Sequence, residues 1–216
     1  MNGYTLFTAI LLLFSVQLEV TAQRVMRVEL PAEEESDVYD LIPCGEQGVV
    51  TLYETEAVQD AENKRWEFAL YDTLFNRVWI NEVPVLFGAE FQGYHYENNT
   101  LHLLFINTRK VKTSINNIHI ISVSLPDGSQ TSVLGSVEDK VTPVGFIVTG
   151  RTAVVAVNTR KDNGEMYFFD LVEGSFAKTI LHLQDQTLVD HLRAGDDGKS
   201  VDVVAVTYSG RRQSGM

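Results

Sequence analysis

Along most of the chain apolar and polar positions alternate with a period of two, and β-branched and aromatic residues fill the apolar positions. That is the pattern of half-buried strands. The most apolar of them are "VVTLYET" (49–55), "LHLLFIN" (101–107), "AVVAVNT" (153–159) and "VDVVAVT" (201–207), so they recur about every 50 residues. A turn-rich segment precedes each one: "CGEQG", "ENNT", "TGRT" and "GDDGKS". Before each turn stands a further strand-like stretch, "VYDLI", "EFQGYHY", "VGFIV" and "VDHLR". After the apolar strand a polar link leads to a second pair: "WEFALYD" with "RVWINEV", "IHIISVSL" with "TSVLGSV", and "EMYFFDL" with "AKTILHL". The hairpins "LPDGSQ" (125–130) and "LVEGSF" (171–176) carry Gly and Asp where a positive φ is needed. No segment beyond the N-terminal one has the 3.6-residue period of an amphipathic helix.

Four strands in a repeat of about 50 residues are the signature of a β-propeller blade. The expected fold is therefore all-β, a β-propeller with four-stranded antiparallel blades at about 38–88, 89–139 and 140–187 and a partial blade over 188–216. A blade has both faces covered by its neighbours, so a terminal blade without one leaves a face wet. Four large apolar side chains left exposed forgo roughly 6–12 kcal/mol, at about 1.5–3 kcal/mol each. That is comparable to the roughly 5–15 kcal/mol that holds a typical domain together. The expectation is a piece of a longer propeller, with missing blades or a partner copy covering the open edge.

The stretch "DVYDLIPCGEQGVVTLYETEAVQDAENKRWEFALYDTLFNRVWINEVPV" carries a "LIP-CGEQG" opening, Trp66, the triplet Leu70-Tyr71-Asp72, and Trp79. On these residues the chain resembles exported β-propeller-like proteins of the Bacteroidetes type, a group without an assigned activity. The resemblance extends over the whole chain after its leader. It implies a propeller and an exported location, and it marks no catalytic residue.

The chain opens "MNGYTLFTAILLLFSVQLEVTAQ", in which Leu6 to Val16 is almost wholly apolar. An apolar core of about 11 residues fits a secretory signal and falls short of the roughly 20 needed to span a bilayer. Val20-Thr21-Ala22 is a small-residue exit, so residues 1–22 are expected to be a signal peptide cleaved before Gln23, followed by an acidic linker (23–37). The address is periplasmic, cell-surface or secreted, with no membrane span in the mature chain. Cleavage removes one acid, Glu19, and no base, so the net charge moves only from −12 to −11. An acidic chain lacks the basic footprint for nucleic acid or anionic lipid. Cys44 is the only cysteine, which excludes an internal disulfide and a cysteine-based metal site; beside its turn it is expected to be a small half-buried residue.

No G-x-S-x-G elbow, H-E-x-x-H pair or calcium loop is present. His95, His102, His119 and His182 lie within alternating strands, where a half-exposed place in the sheet is expected; His191 lies in the first strand of a blade, the strand that lines a propeller's channel. "GDDGKS" ends like a phosphate loop, but a strand follows its serine where that loop requires a helix, and it reads as a hairpin turn. "EEESD" (33–37) reads as a solvated linker, and Asn98-Asn99-Thr100 as a glycosylation sequon relevant only to a eukaryotic secretory route. No metal and no cofactor are implied.

"NTRK" occurs twice, at 107–110 and 158–161, each time at the end of a repeat's second strand. The links that follow would place Arg109, Lys110, Lys112, Arg160, Lys161, Arg211 and Arg212 on one rim of an acidic protein. The proposed ligand-binding set is Arg109, Lys110, Arg160, Lys161 and Arg211, because a guanidinium fork suits carboxylate or sulfate. That depends on both copies facing the same way; repetition of a structural unit explains them without any ligand. The main expectation is an exported, non-enzymatic binding or scaffold module for a protein or acidic-glycan partner. Two alternatives stand beside it. One is a propeller enzyme acting on glycans or peptides, with Asp37, Asp40, Glu90 and Asp190 as channel-side acids. The other is a sensor ectodomain that continues past residue 216.

Overall fold

The structure, a computed structural model, describes residues 27, 29, 39–58, 60–107, 116–137, 141–159, 163–181 and 186–208. The chain divides into two compact units, Met1–Leu30 and Pro31–Met216. In the first, only Arg27 and Glu29 are described, as an exposed ion pair at 3.0 Å.

The second unit is all-β, and its described strands form antiparallel sheets in simple up-and-down order. Sheet 1 holds β1 (Asp40–Pro43), β2 (Val49–Val58), β3 (Asn63–Tyr71) and β4 (Arg77–Leu86). Sheet 2 holds β5 (Ala89–Glu97), β6 (Thr100–Asn107), β7 (Asn116–Ser124) and β8 (Gln130–Val137). Sheet 3 holds β9 (Val141–Thr149), β10 (Thr152–Thr159), β11 (Gly164–Asp170) and β12 (Phe176–Ile180). Two further strands, β13 (Gln186–Ala194) and β14 (Val201–Tyr208), pair with each other. The described residues add one short 3-10 turn, Gly45–Gln47.

Short hairpins explain why each sheet is a meander. β5 and β6 are joined through Asn98 and Asn99, both at positive φ (48° and 59°), the conformation of a tight hairpin whose twist matches its strands. Between β7 and β8, Gly128 sits at φ 70° with its hydrogen where a Cβ would stand 2.3 Å from the Asn81 amide of sheet 1. Only glycine meets both demands there. Asn81 Nδ2 donates to Gly128 O, and Trp79 Nε1 donates to Leu125 O, so this hairpin is tied to β4.

The core lies between successive sheets. Period-two alternation sends one row of each sheet to one neighbour and the other row to the next. Leu101, Leu103 and Phe105 of β6 pack with Ile42, Leu52, Trp66 and Phe68 of sheet 1. Leu104 and Ile106 of the same strand pack with Val148, Val155, Tyr167 and Phe169 of sheet 3. Ile147, Val154 and Met166 of sheet 3 then meet Val189 and Leu192 of β13. Phe105 sits edge-on to Trp66, with ring centroids 5.0 Å apart.

The structure corrects three expectations about single residues. Cys44 is fully buried rather than half-buried, and burial pushes its thiol up to about 11. His102 and His119 are buried as well, each only 5 % exposed, because β6 and β7 are the two central strands of a sheet covered on both faces. The two "NTRK" copies do not occupy equivalent positions. Ile106 pairs with Glu90 and Asn107 with Ala89, whereas Asn158 pairs with Thr142 and Thr159 with Val141. Counted from the bulge in each first strand, Asn107 therefore matches Thr159. A one-residue offset turns a side chain to the other face: Asn107 bonds back to Phe87 O, and Asn158 reaches forward to Val189.

Candidate functional site

The first strand of each sheet is an edge strand, paired on one side only. β5 packs beside β9, and β9 beside β13. Each of these three strands carries a β-bulge near its middle, after the third residue of β5 and of β9 and after the fourth of β13. In β5, Phe91 opposes Phe105 and Gly93 opposes Leu104, which leaves Gln92 as the extra residue. In β9, Pro143 opposes Val157 and Gly145 opposes Ala156, leaving Val144. In β13, Val189 opposes Ala205 and His191 opposes Val204, leaving Asp190. A bulge interrupts the ladder and re-aims the side chains beside it, and bulges concentrate at edges and next to functional sites.

The residue types fit this geometry. Pro143 lacks an N–H and is tolerated because β9 is an edge. Gly93 has φ 154°, which side chains with a Cβ rarely adopt. A Cβ on Gly145 would stand 3.1 Å from Cβ and Cγ of Leu192, so the missing side chain lets β13 approach β9 at the level of its bulge. In β13 the bulge breaks the alternation: Val189 and Leu192 both turn inward, and the two residues between them, Asp190 and His191, are both exposed.

Beside the bulges the polar side chains are Glu90 and Gln92 of β5, Thr142 of β9 and Asp190 and His191 of β13, and β1 carries Asp40. Gln92 Nε2 donates to Glu90 O at 3.3 Å. Asp40 is half-buried, and burial raises its carboxyl above the usual range. Among the described residues no three His, Cys, Asp or Glu side chains come together closely enough to hold a metal ion. The exposed acid–imidazole neighbours Asp190 and His191 have the chemistry for proton transfer to a bound molecule.

Of the other residues named from the sequence, Arg109, Lys110, Arg160, Lys161 and Arg211 lie outside the described residues, as do Lys112, Arg212, Asp37 and His182. The "GDDGKS" segment is a hairpin turn: Asp197 Oδ1 accepts from the Lys199 and Ser200 N–H groups and from Ser200 Oγ. These bonds, with that from the Lys199 N–H foremost, hold its carboxyl below the usual range. His102 Nδ1 lies 2.8 Å from Ser122 Oγ, whereas neither ring nitrogen of His119 has a hydrogen-bond partner among the described residues. Burial lowers both imidazoles to about 4, with His95 adding to the effect at His102.

The sequence reading missed Gln92, the bulges and the role of Asn158. Its signals were present but faint: Gly93 and Gly145 stand at matching places in two first strands, and "VDHL" spaces its inward residues three apart rather than two.

No protein-family model matches the chain, and no curated protein matches it. Among solved structures, it is similar to a cobalt-substituted apocarotenoid oxygenase from Synechocystis, at 8 % identity and a TM-score of 0.45 over 70 % of this chain and 40 % of the other. A glutamate-to-aspartate variant of the same enzyme is similar at 9 % identity and a TM-score of 0.45, over 78 % of this chain and 47 % of the other. The chain thus spans less than half the length of those it matches. At such scores the likeness carries no substrate, metal or reaction across. Both of these are structures of an enzyme, and the expectation of a non-enzymatic binding or scaffold module is withdrawn.

Proposed function

We propose that the described strands are part of a β-propeller enzyme acting on glycans or peptides, and that its substrate meets this chain along the bulged first strands. The observation that carries the proposal is the recurrence of a bulge in the first strands β5, β9 and β13. A strand interruption kept through three repeats costs ladder bonds each time, and the extra residue is polar in two of them, Gln92 and Asp190. In this reading the first strands face a common channel, and further strands cover the open side of β14. Asp190 and His191 exchange protons with the scissile group, while Gln92 and Glu90 orient the substrate. The apolar leader, Leu6 to Val16, supports export and a substrate met outside the cytoplasm.

The test is titration of the isotopically labelled chain with a panel of neutral and acidic oligosaccharides and of peptides, followed by a turnover assay on whatever binds. The reading predicts amide shifts concentrated at 90–93 and 189–192, and turnover that falls in D190N and H191N. Shifts confined to other surfaces, or turnover indifferent to both substitutions, would overturn it.

A further inference from the structure

The β13 bulge is gripped on both sides, by Asn158 and Gly164 before it and by Gly145 after it. Asn158 stands near the end of β10, half-buried. Its carboxamide makes two bonds to the backbone of a single residue 31 positions away. Nδ2 donates to Val189 O at 2.8 Å, and the Val189 N–H donates to Oδ1 at 2.9 Å. The amide therefore stands in for a neighbouring strand on the otherwise unpaired side of an edge strand, where those two groups would have lacked protein partners.

The fit depends on the residue opposite. Asn158 pairs across the sheet with Gly164, and a Cβ on Gly164 would stand 3.0 Å from Val189 N and Cγ2 and 3.2 Å from Thr187 O. On the far side of the bulge, Leu192 is seated against Gly145. Between these two grips lie Asp190 and His191, the exposed pair. No such grip exists one unit earlier, where Ile106 takes the place of Asn158 in the register.

We infer that Asn158 is a positioning residue, which fixes the bulge at Val189 and thereby the directions in which Asp190 and His191 point. The inference rests on the reading of the bulged first strands as the working surface. It also gives the second "NTRK" copy a role that the first cannot share.

The experiment compares amide hydrogen exchange and the His191 ring-proton resonances in the full chain and in three variants. Asn158→Leu keeps the volume and removes both bonds. Asn158→Asp keeps the accepting oxygen, and Gly164→Ala pushes β13 away while leaving the amide in place. In N158L the Val189 amide is expected to exchange about tenfold faster, since the two bonds opposing local opening are lost. The His191 resonances should move with it, while amides in β9 to β12 keep their protection. N158D should fall between N158L and the parent, a partial rescue that loss of packing alone does not produce. Where N158L fails to fold, N158D and G164A carry the same comparison. Unchanged exchange at Val189 would overturn the inference. So would a uniform rise through β13 and β14, which would mean that Asn158 only holds the pair down. None of these readings needs a substrate, so failure here leaves the ligand titration standing, and an inert titration leaves the latch standing.

Discussion

Strands β6 and β14 are written in nearly the same way, "LHLLFIN" and "VDVVAVT", yet their surroundings differ completely. Every residue of β6 after Thr100 is buried, on both faces of its sheet. No residue of β14 is buried, and Val204, Val206 and Tyr208 are 52 %, 39 % and 54 % exposed. Burial in this architecture is thus set by what lies beside a sheet rather than by the strand's own hydrophobicity. Sheet 2 has sheets 1 and 3 as neighbours, whereas β13–β14 packs against sheet 3 alone among the described residues.

The comparison is broken most forcefully by truncating matched positions. Phe105→Ala removes a fully buried ring that contacts Trp66 and Phe91 and should cost about 3–5 kcal/mol in denaturant unfolding. Val206→Ala, on the open face of β14, should cost less than about 1 kcal/mol. Equal losses would mean that β14 is covered in solution.

A second way is through pH. His102 and His119 titrate at about 4 in the folded chain against an ordinary value of 6.5, so the unfolded chain binds more protons between those limits. Stability should be full above about pH 6.5, fall as the pH drops towards 4, and level off below that, with a total loss on the order of 3–6 kcal/mol for the pair. Urea midpoints across that range measure it. His119→Leu should remove part of this slope. It should also raise stability near neutrality by about 1–3 kcal/mol, because it replaces a buried ring whose nitrogens lack partners among the described residues. A slope identical in the two proteins would show that His119 is reached by water.

A smaller effect tests the tie between sheets 1 and 2. Gly128→Ala places a Cβ against the Asn81 amide at a backbone φ of 70° and should lower stability by about 1–3 kcal/mol. The loss should disappear when Asn81 is also changed to Ala, apart from the cost of the positive φ itself.

These contrasts also show how far the sequence could be read. The strands and their hairpins were legible because alternation, Gly128 and the Asn98-Asn99 turn are local signals. The burial of His102 and His119 was not, since a histidine in a central strand looks the same as one in an edge strand until the neighbours of its sheet are known. The bulges were hidden for a related reason. One extra residue shifts the alternation by a single place, and repeats aligned by composition absorb it. That is also why the two "NTRK" copies look equivalent in sequence and differ by one position in register. The proposed working surface was half visible: Glu90, Asp190 and His191 were picked out as first-strand residues, while Asn158 could be understood only from a contact spanning 31 residues.

The most direct measurement of the central claim is the backbone proton contact pattern between β13 and β14 in the labelled chain. The account predicts cross-strand contacts for Val189 with Ala205 and for His191 with Val204, with Asp190 skipped, and the same step at Gln92 and Val144 in β5 and β9. Uninterrupted pairing, with Asp190 opposite Val204 and Gln92 opposite Leu104, would contradict it.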